Sequence, residues 1–129
     1  MKPPAEHIRL SKQARDQLMA LKRHTGVSTL NILCRWAYAV SISDPSPPPL
    51  ARQVSEGGFD ISWGVFAGEH AVVIEKTLLL RAYHDKTGTD SSCFIPFLRA
   101  HIQRGLSYLS ADKKIRSIAD LVGMVAKNQ

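Results

Sequence analysis

Cysteine is scarce in this chain. Cys34 and Cys93 are the only two, far apart and each set among apolar residues. No Cys-x-x-Cys pair exists, so both read as buried free thiols in a reducing cytoplasm. Long apolar runs are missing too, and none approaches the ~20 residues that span a bilayer. The opening MKPPAEHIRL has no apolar core of the kind a secretory signal needs. A soluble cytoplasmic protein without membrane contact is the expectation. Catalytic signatures are equally lacking: no P-loop, no dinucleotide fingerprint and no HExxH occur. Nor are there the clustered carboxylates that a metal nuclease uses. The five histidines, His7, His24, His70, His84 and His101, are scattered. No catalytic, metal-ligating or cofactor-binding residue is assigned, and the chain reads as a non-enzyme.

Basic charge is what the chain does have. Its 129 residues, 44% hydrophobic, suit one domain with a real core, and the net charge is +6. The first 23 residues carry Lys2, Arg9, Lys12, Arg15, Lys22 and Arg23 against Glu6 and Asp16. That segment alone therefore supplies +4 of the +6. Such a balance favours an anionic partner and says nothing about fold.

The pattern predicts a mainly α-helical bundle with at most one or two short strands. HIRL alternates, with Ile8 and Leu10 on one face and His7 and Arg9 on the other, which predicts a short strand. Ser11 follows as an N-cap. Ala14, Leu18 and Leu21 recur at helical spacing, and Gly26 ends that helix. Ser28 is expected to cap a second helix, in which Leu30, Leu33, Trp36, Ala37 and Val40 line one face. DPSPPPLARQ, Asp44 to Gln53, is a proline-rich linker, followed by a short mobile loop closed by Gly57 and Gly58. FDISW reads as extended, with Phe59, Ile61 and Trp63 sharing a face. From Phe66 a helical stripe of Phe66, His70, Val73, Thr77, Leu80 and Arg81 runs on. Its β-branched Val72 to Ile74 leave a strand open there, but the length of the pattern favours helix. Gly88 is expected to end it. Pro96 suits the first position of the next helix, where Phe97, His101, Gly105 and Leu109 share a stripe with Leu98, Ile102 and Leu106. Ser117 and Asp120 resemble a capping box for a last short helix through Val125. The expected organisation is one domain over 1–129. It comprises a strand-helix-helix part at 7–43, a Pro/Gly-rich linker at 44–58 and a helical part at 59–129.

Several residues invite a chemical reading and have a plainer one. Glu69 and His70 in GEH could sit near a scissile phosphate, but an acid at a helix start is favoured by the dipole alone. His101 lies on an apolar stripe and reads as a satisfied core histidine. Nothing local supports Cys93 as a nucleophile paired with a histidine. Gly105 inside a helix costs roughly 1 kcal/mol against Ala, which close helix packing would explain.

The basic helix is different, because its context adds to it. A strand, a helix, a Gly-x-Ser turn and a second helix follow the order of the ribbon-helix-helix module, a β-ribbon reader of DNA. The second helix can offer N-terminal amides to a phosphate, with Ser28 in the turn. The strand face holds only His7 and Arg9, too little to read several bases. Phosphate contact is therefore the better-supported role.

IRLSKQARDQLMALKRHTGVSTLNILCRWAYAVSI, then FAGEH, then LRAHIQRGLSYL stand in this order and spacing. Together they resemble the DndE family of the bacterial DNA phosphorothioation system, which replaces a non-bridging phosphate oxygen with sulfur. The resemblance runs from about Ile8 to Leu109. It implies a DNA-binding accessory subunit with a ribbon-helix-helix-like N-terminal part. It also implies a homotetramer that prefers nicked duplex and binds through surface lysines. Partners implied are an ATPase subunit, a sulfur-transfer subunit resembling adenylylsulfate reductases, and a cysteine desulfurase. On this chain the implied DNA contacts are Lys12, Arg15, Lys22 and Arg23, with Arg9 and Ser28 beside them. Arginine stands at some positions where relatives carry lysine, and either neutralises a phosphate. A nickase using Glu69, His70 or His101, and a ribbon-helix-helix repressor, are the other readings.

Overall fold

The computed structural model describes residues 7–49 and 58–111. The capping box expected at Ser117 and Asp120, and the stretch from Leu50 to Gly57, lie outside the described residues. Strand β1 is His7–Leu10, helix α1 Lys12–Thr25 and helix α2 Leu30–Ser43. Strand β2, Phe59–Ser62, leads into α3, Trp63–Ala67, a 3₁₀ turn at Gly68–His70, α4 at Ala71–His84 and α5 at Ser91–Ala111. The fold is mainly helical, as expected.

The two strands form an antiparallel pair in which Ile8 faces Ile61, Arg9 faces Asp60 and Leu10 faces Phe59. Ile8, Leu10 and Ile61 turn into the core. Arg9 and Asp60 meet on the outer side, Nη1 to Oδ2 2.9 Å. Ser11 caps α1 as expected, its hydroxyl accepting from Ala14 N at 3.1 Å. Gly26 ends α1 at φ 76°, a left-handed conformation that costs glycine little.

Helix α5 runs through the middle and packs most extensively on α2. Gly105 permits this, because a Cβ there would stand 1.7 Å from the Ala37 carbonyl oxygen. The close packing expected of this glycine is therefore present. Around the seam lie Leu33, Phe66, Phe94, Leu98, Ile102 and Leu106, all buried. Trp63 meets Phe94 edge-on at 5.0 Å between ring centroids.

Several local expectations are corrected. Thr29, not Ser28, is the N-cap of α2, and it makes no side-chain hydrogen bond. On α2 the buried face holds Cys34, Tyr38 and Ser41 with Leu33, Ala37 and Val40, while Leu30 and Trp36 are half-buried at its margin. Trp63 opens α3 instead of extending β2. The stripe from Phe66 to Arg81 does not exist as one face. The backbone turns at Gly68, φ 52°, and the 3₁₀ turn resets the phase, so Ile74, Leu78 and Ala82 are buried while Val73 and Leu80 face outward. Val72 to Ile74 is helical, as favoured. The helix stops at His84, ahead of Gly88, and Lys86 takes the positive φ of 59°. Pro96 sits inside α5, which begins at Ser91. Cys34 is buried, but Cys93 is only half-buried.

Candidate nucleic-acid interface

Helix α1 presents Lys12, Arg15, Lys22 and Arg23 to solvent. Ala14, Leu18, Leu21 and Thr25 fix its other side in the core. At about 100° per residue the four cations fall within an arc of about 100°, centred roughly a third of a turn from the buried side. Lys12 and Arg23 are separated by about 16 Å of helix at 1.5 Å per residue. Asp16, one turn after Lys12, is exposed on the neighbouring part of the surface.

The two ends of this row differ electrostatically. Lys22, Arg23 and His24 occupy the last turn, where cations are favoured by the helix dipole. Lys12 opens the first turn, which holds no acidic residue. A cation there is disfavoured by about 0.3–1 kcal/mol, so helix stability does not account for it. A hydrogen bond ties the junction beneath. Ser11 N donates to Gln103 Oε1 of α5 at 3.1 Å, tying the start of α1 to α5.

Ser28 is exposed in the turn before α2, beside an α2 first turn that also lacks an acid. Arg9 is part-exposed and already paired with Asp60, which leaves its other donors for a further anion. So α1 brings four of the named residues into one row, with Arg9 and Ser28 on the flanking strand and turn.

The residues considered for cutting are not brought together. Glu69 and His70 are exposed on the 3₁₀ turn, and His70 borders a groove of about 390 Å³ between α2 and α4. His101 is 2% exposed and accepts from or donates to Ser41 Oγ at 2.8 Å. It borders a different, smaller cavity of about 210 Å³. Burial, with the guanidinium of Arg104 nearby, lowers its pKa to about 4, so it is neutral near pH 7. Burial pushes the Cys34 thiol up to about 12, which keeps it protonated and unreactive.

Sequence reasoning missed the arginines inside. Arg104 is 7% exposed and crosses to the end of α2. Its Nε donates to Ser41 Oγ at 2.9 Å and Nη2 to Ser41 O at 2.7 Å. Its Nη1 donates to Ser46 O at 2.8 Å, and Asp44 Oδ2 stands 3.8 Å away. Arg81 Nη2 donates to Ile42 O and Asp44 O, both at 2.6 Å. Two guanidinium groups thus occupy the negative end of the α2 dipole. Tyr108 and Ser46 donate to the Asp44 carboxylate, holding its pKa well below the usual range. The first residues of the proline-rich stretch are pinned by these contacts. The His-x-x-Arg spacing placed His101 and Arg104 on one turn, but nothing in it signalled a buried arginine.

The profile of the family described as DNA sulphur modification protein DndE matches residues 7–117. The chain belongs to the DndE family. The crystal structure of DndE from Escherichia coli B7A, involved in DNA phosphorothioation modification, is similar in fold. Its TM-score is 0.67 at 25% sequence identity, covering 84% of this chain and 99% of that one. No curated protein sequence matches. Among the described residues no helix of this DndE-family protein is long and apolar enough to cross a membrane.

Proposed function

We propose that this DndE-family protein is a non-enzymatic, DNA-binding accessory subunit of the phosphorothioation machinery. The observation that carries the reading is the exposed row of Lys12, Arg15, Lys22 and Arg23 on α1, whose Lys12 stands where a helix alone would not put a cation. A row about 16 Å long spans four to five phosphates of one strand at about 3.4 Å each. Arg9 and Ser28 extend the contact at its edges.

Several protomers pool their α1 helices into one positive surface, and the assembly is a homotetramer. The outer face of α4 supports association, since Val72, Val73, Leu80 and Tyr83 are all more than 60% exposed. Exposed apolar residues gathered on one helix face are the kind of surface that association covers. Binding then rests on counterion release and is weak in sequence preference. A nick makes the duplex easier to bend onto a curved surface, which lowers the deformation cost and gives the preference for nicked DNA. The protein holds the interrupted strand while the ATPase subunit, the sulfur-transfer subunit and the cysteine desulfurase carry out the sulfur chemistry.

The test is binding to one duplex, nicked and intact, across a salt series, with mass in solution taken in the same buffer. Replacing Lys12, Arg15, Lys22 and Arg23 with glutamine is expected to abolish binding and leave the melting temperature and mass unchanged. Nicked duplex bound by that variant as tightly as by the wild type would overturn the assignment.

A further inference from the structure

Among the described residues, four arginines outside α1 and β1 are buried or half-buried, and their surroundings can be compared. Arg35 donates Nη1 to Phe66 O at 2.9 Å. Arg104 uses all three nitrogens on α2 and the segment after it. Arg81 places Nη2 on two carbonyls of the same helix end, although its buried Nη1 makes no bond. Arg99 differs from all three. Its Nε is buried and makes no hydrogen bond, and among the described residues no carbonyl accepts from its terminal nitrogens. Among the described residues no carboxylate pairs with it, the arginine ion pairs being Arg9 with Asp60 and Arg104 with Asp44. A buried guanidinium N–H left without an acceptor is costly, and no contact among the described residues explains its presence.

Its position suggests what completes it. Arg99 and Gln103 are four residues apart on α5 and share a side of the helix. Gln103 receives the Ser11 amide, so this side of α5 faces the β1–α1 junction. Lys12, the first cation of the α1 row, follows Ser11 directly. An arginine with open donors therefore stands about one turn of α5 from the end of the basic row where the helix dipole adds positive potential.

We propose that Arg99 is a further phosphate contact of the DNA surface, supplied by α5 rather than by α1. The ligand is a backbone phosphate of the same duplex, one that lies past the Lys12 end of the row. The inference rests on the reading of α1 as the DNA interface. It adds to that reading a second element, so that the duplex touches both helices joined by the Ser11–Gln103 hydrogen bond. The terminal nitrogens of Arg99 are the donors that the phosphate takes, since Nε itself lies out of reach of solvent.

The experiment compares wild type, Arg99→Met, Arg99→Lys and the quadruple α1 variant. Each is titrated against nicked duplex across a salt series and melted without DNA. Arg99→Met keeps an unbranched apolar stem and removes the charge. It is expected to melt at or above the wild-type temperature and to bind several-fold more weakly at low salt. Its salt slope is expected to be shallower by about 0.9, the share of one phosphate that the side chain no longer neutralises. Arg99→Lys is expected to keep the slope. Wild-type affinity and slope in Arg99→Met overturn the proposal. A clearly lower melting temperature in Arg99→Met also overturns it, since the guanidinium would then be a structural group. If the quadruple variant loses binding and Arg99→Met does not, the α1 reading stands and the α5 contact falls. If the wild type does not bind, or the quadruple variant binds fully, both fall together.

Discussion

Replacing Gly105 with alanine tests the packing of the whole molecule, because every atom it would strike belongs to backbone. The new Cβ would lie 1.7 Å from Ala37 O, 2.3 Å from its carbonyl carbon and 2.7 Å from its Cα. Ordinary contact begins near 3.4 Å, so α2 and α5 must part by well over an ångström. Alanine gains about 1 kcal/mol of helix propensity over glycine. Against that, overpacking costs about 1–3 kcal/mol or more. Parting also stretches the bond from Arg104 Nε to Ser41 Oγ, now 2.9 Å. Hydrogen bonds to charged groups are worth about 1.5–3 kcal/mol. The net loss is about 3 kcal/mol, which for a chain of this size lowers the melting temperature by about 10 °C. Thermal melting and urea midpoints measure it. Because Ala37 clashes through its main chain, adding Ala37→Gly is expected to give no rescue. A Gly105→Ala protein that melts at or above the wild-type temperature would refute the packing argument.

His101, Arg104 and Leu80 each support a shorter test. His101 has a pKa lowered from 6.5 to about 4, so its contribution is full above pH 6.5 and is lost as the pH falls from 6.5 through 4. Urea midpoints measured over that range should fall in the wild type and fall less steeply in His101→Gln; equal slopes would remove His101 as the cause. Arg104→Met should destabilise by about 1.5–3 kcal/mol, because Ser41 O and Ser46 O lose a charged hydrogen-bond donor. Amide exchange at Ser46 should quicken with it, and unchanged protection there would contradict the pinning. Leu80→Glu on the outer face of α4 should change stability by no more than about 0.5 kcal/mol and reduce the mass in solution. An unchanged mass would move the association face elsewhere.

What could be read in the sequence was local. Ile8 and Leu10, the Ser11 cap and the Gly26 stop all depend on neighbours within four residues, and each stands where the pattern put it. The α1 cations were legible for the same reason, since a helix of known phase places Lys12, Arg15, Lys22 and Arg23 on one side. The pairing of β1 with β2 was not legible, as it joins residues about fifty apart and leaves no mark on either strand. Gly68 defeated the periodicity argument, because one residue at positive φ shifts the phase of everything after it. Pro96 misled by occupying a position inside α5, where its missing N–H costs a hydrogen bond that a helix start would not need. Arg81, Arg99 and Arg104 look alike as letters. Only the tertiary fold separates two that fill the end of α2 from one that fills nothing.

The two guanidinium groups at the end of α2 also set an order of events during synthesis. Ser41 and Arg104 are 63 residues apart, so the last turn of α2 lacks this partner until two-thirds of α5 has been made. Until then α1 and α2 emerge as a helical hairpin whose inner face, Leu33, Cys34, Ala37 and Val40, has nothing of α5 to cover it. Contacts of such long separation slow folding and leave apolar surface open to other chains. Ribosome-bound chains released at residue 90 should therefore need chaperone protection that chains released beyond residue 111 do not.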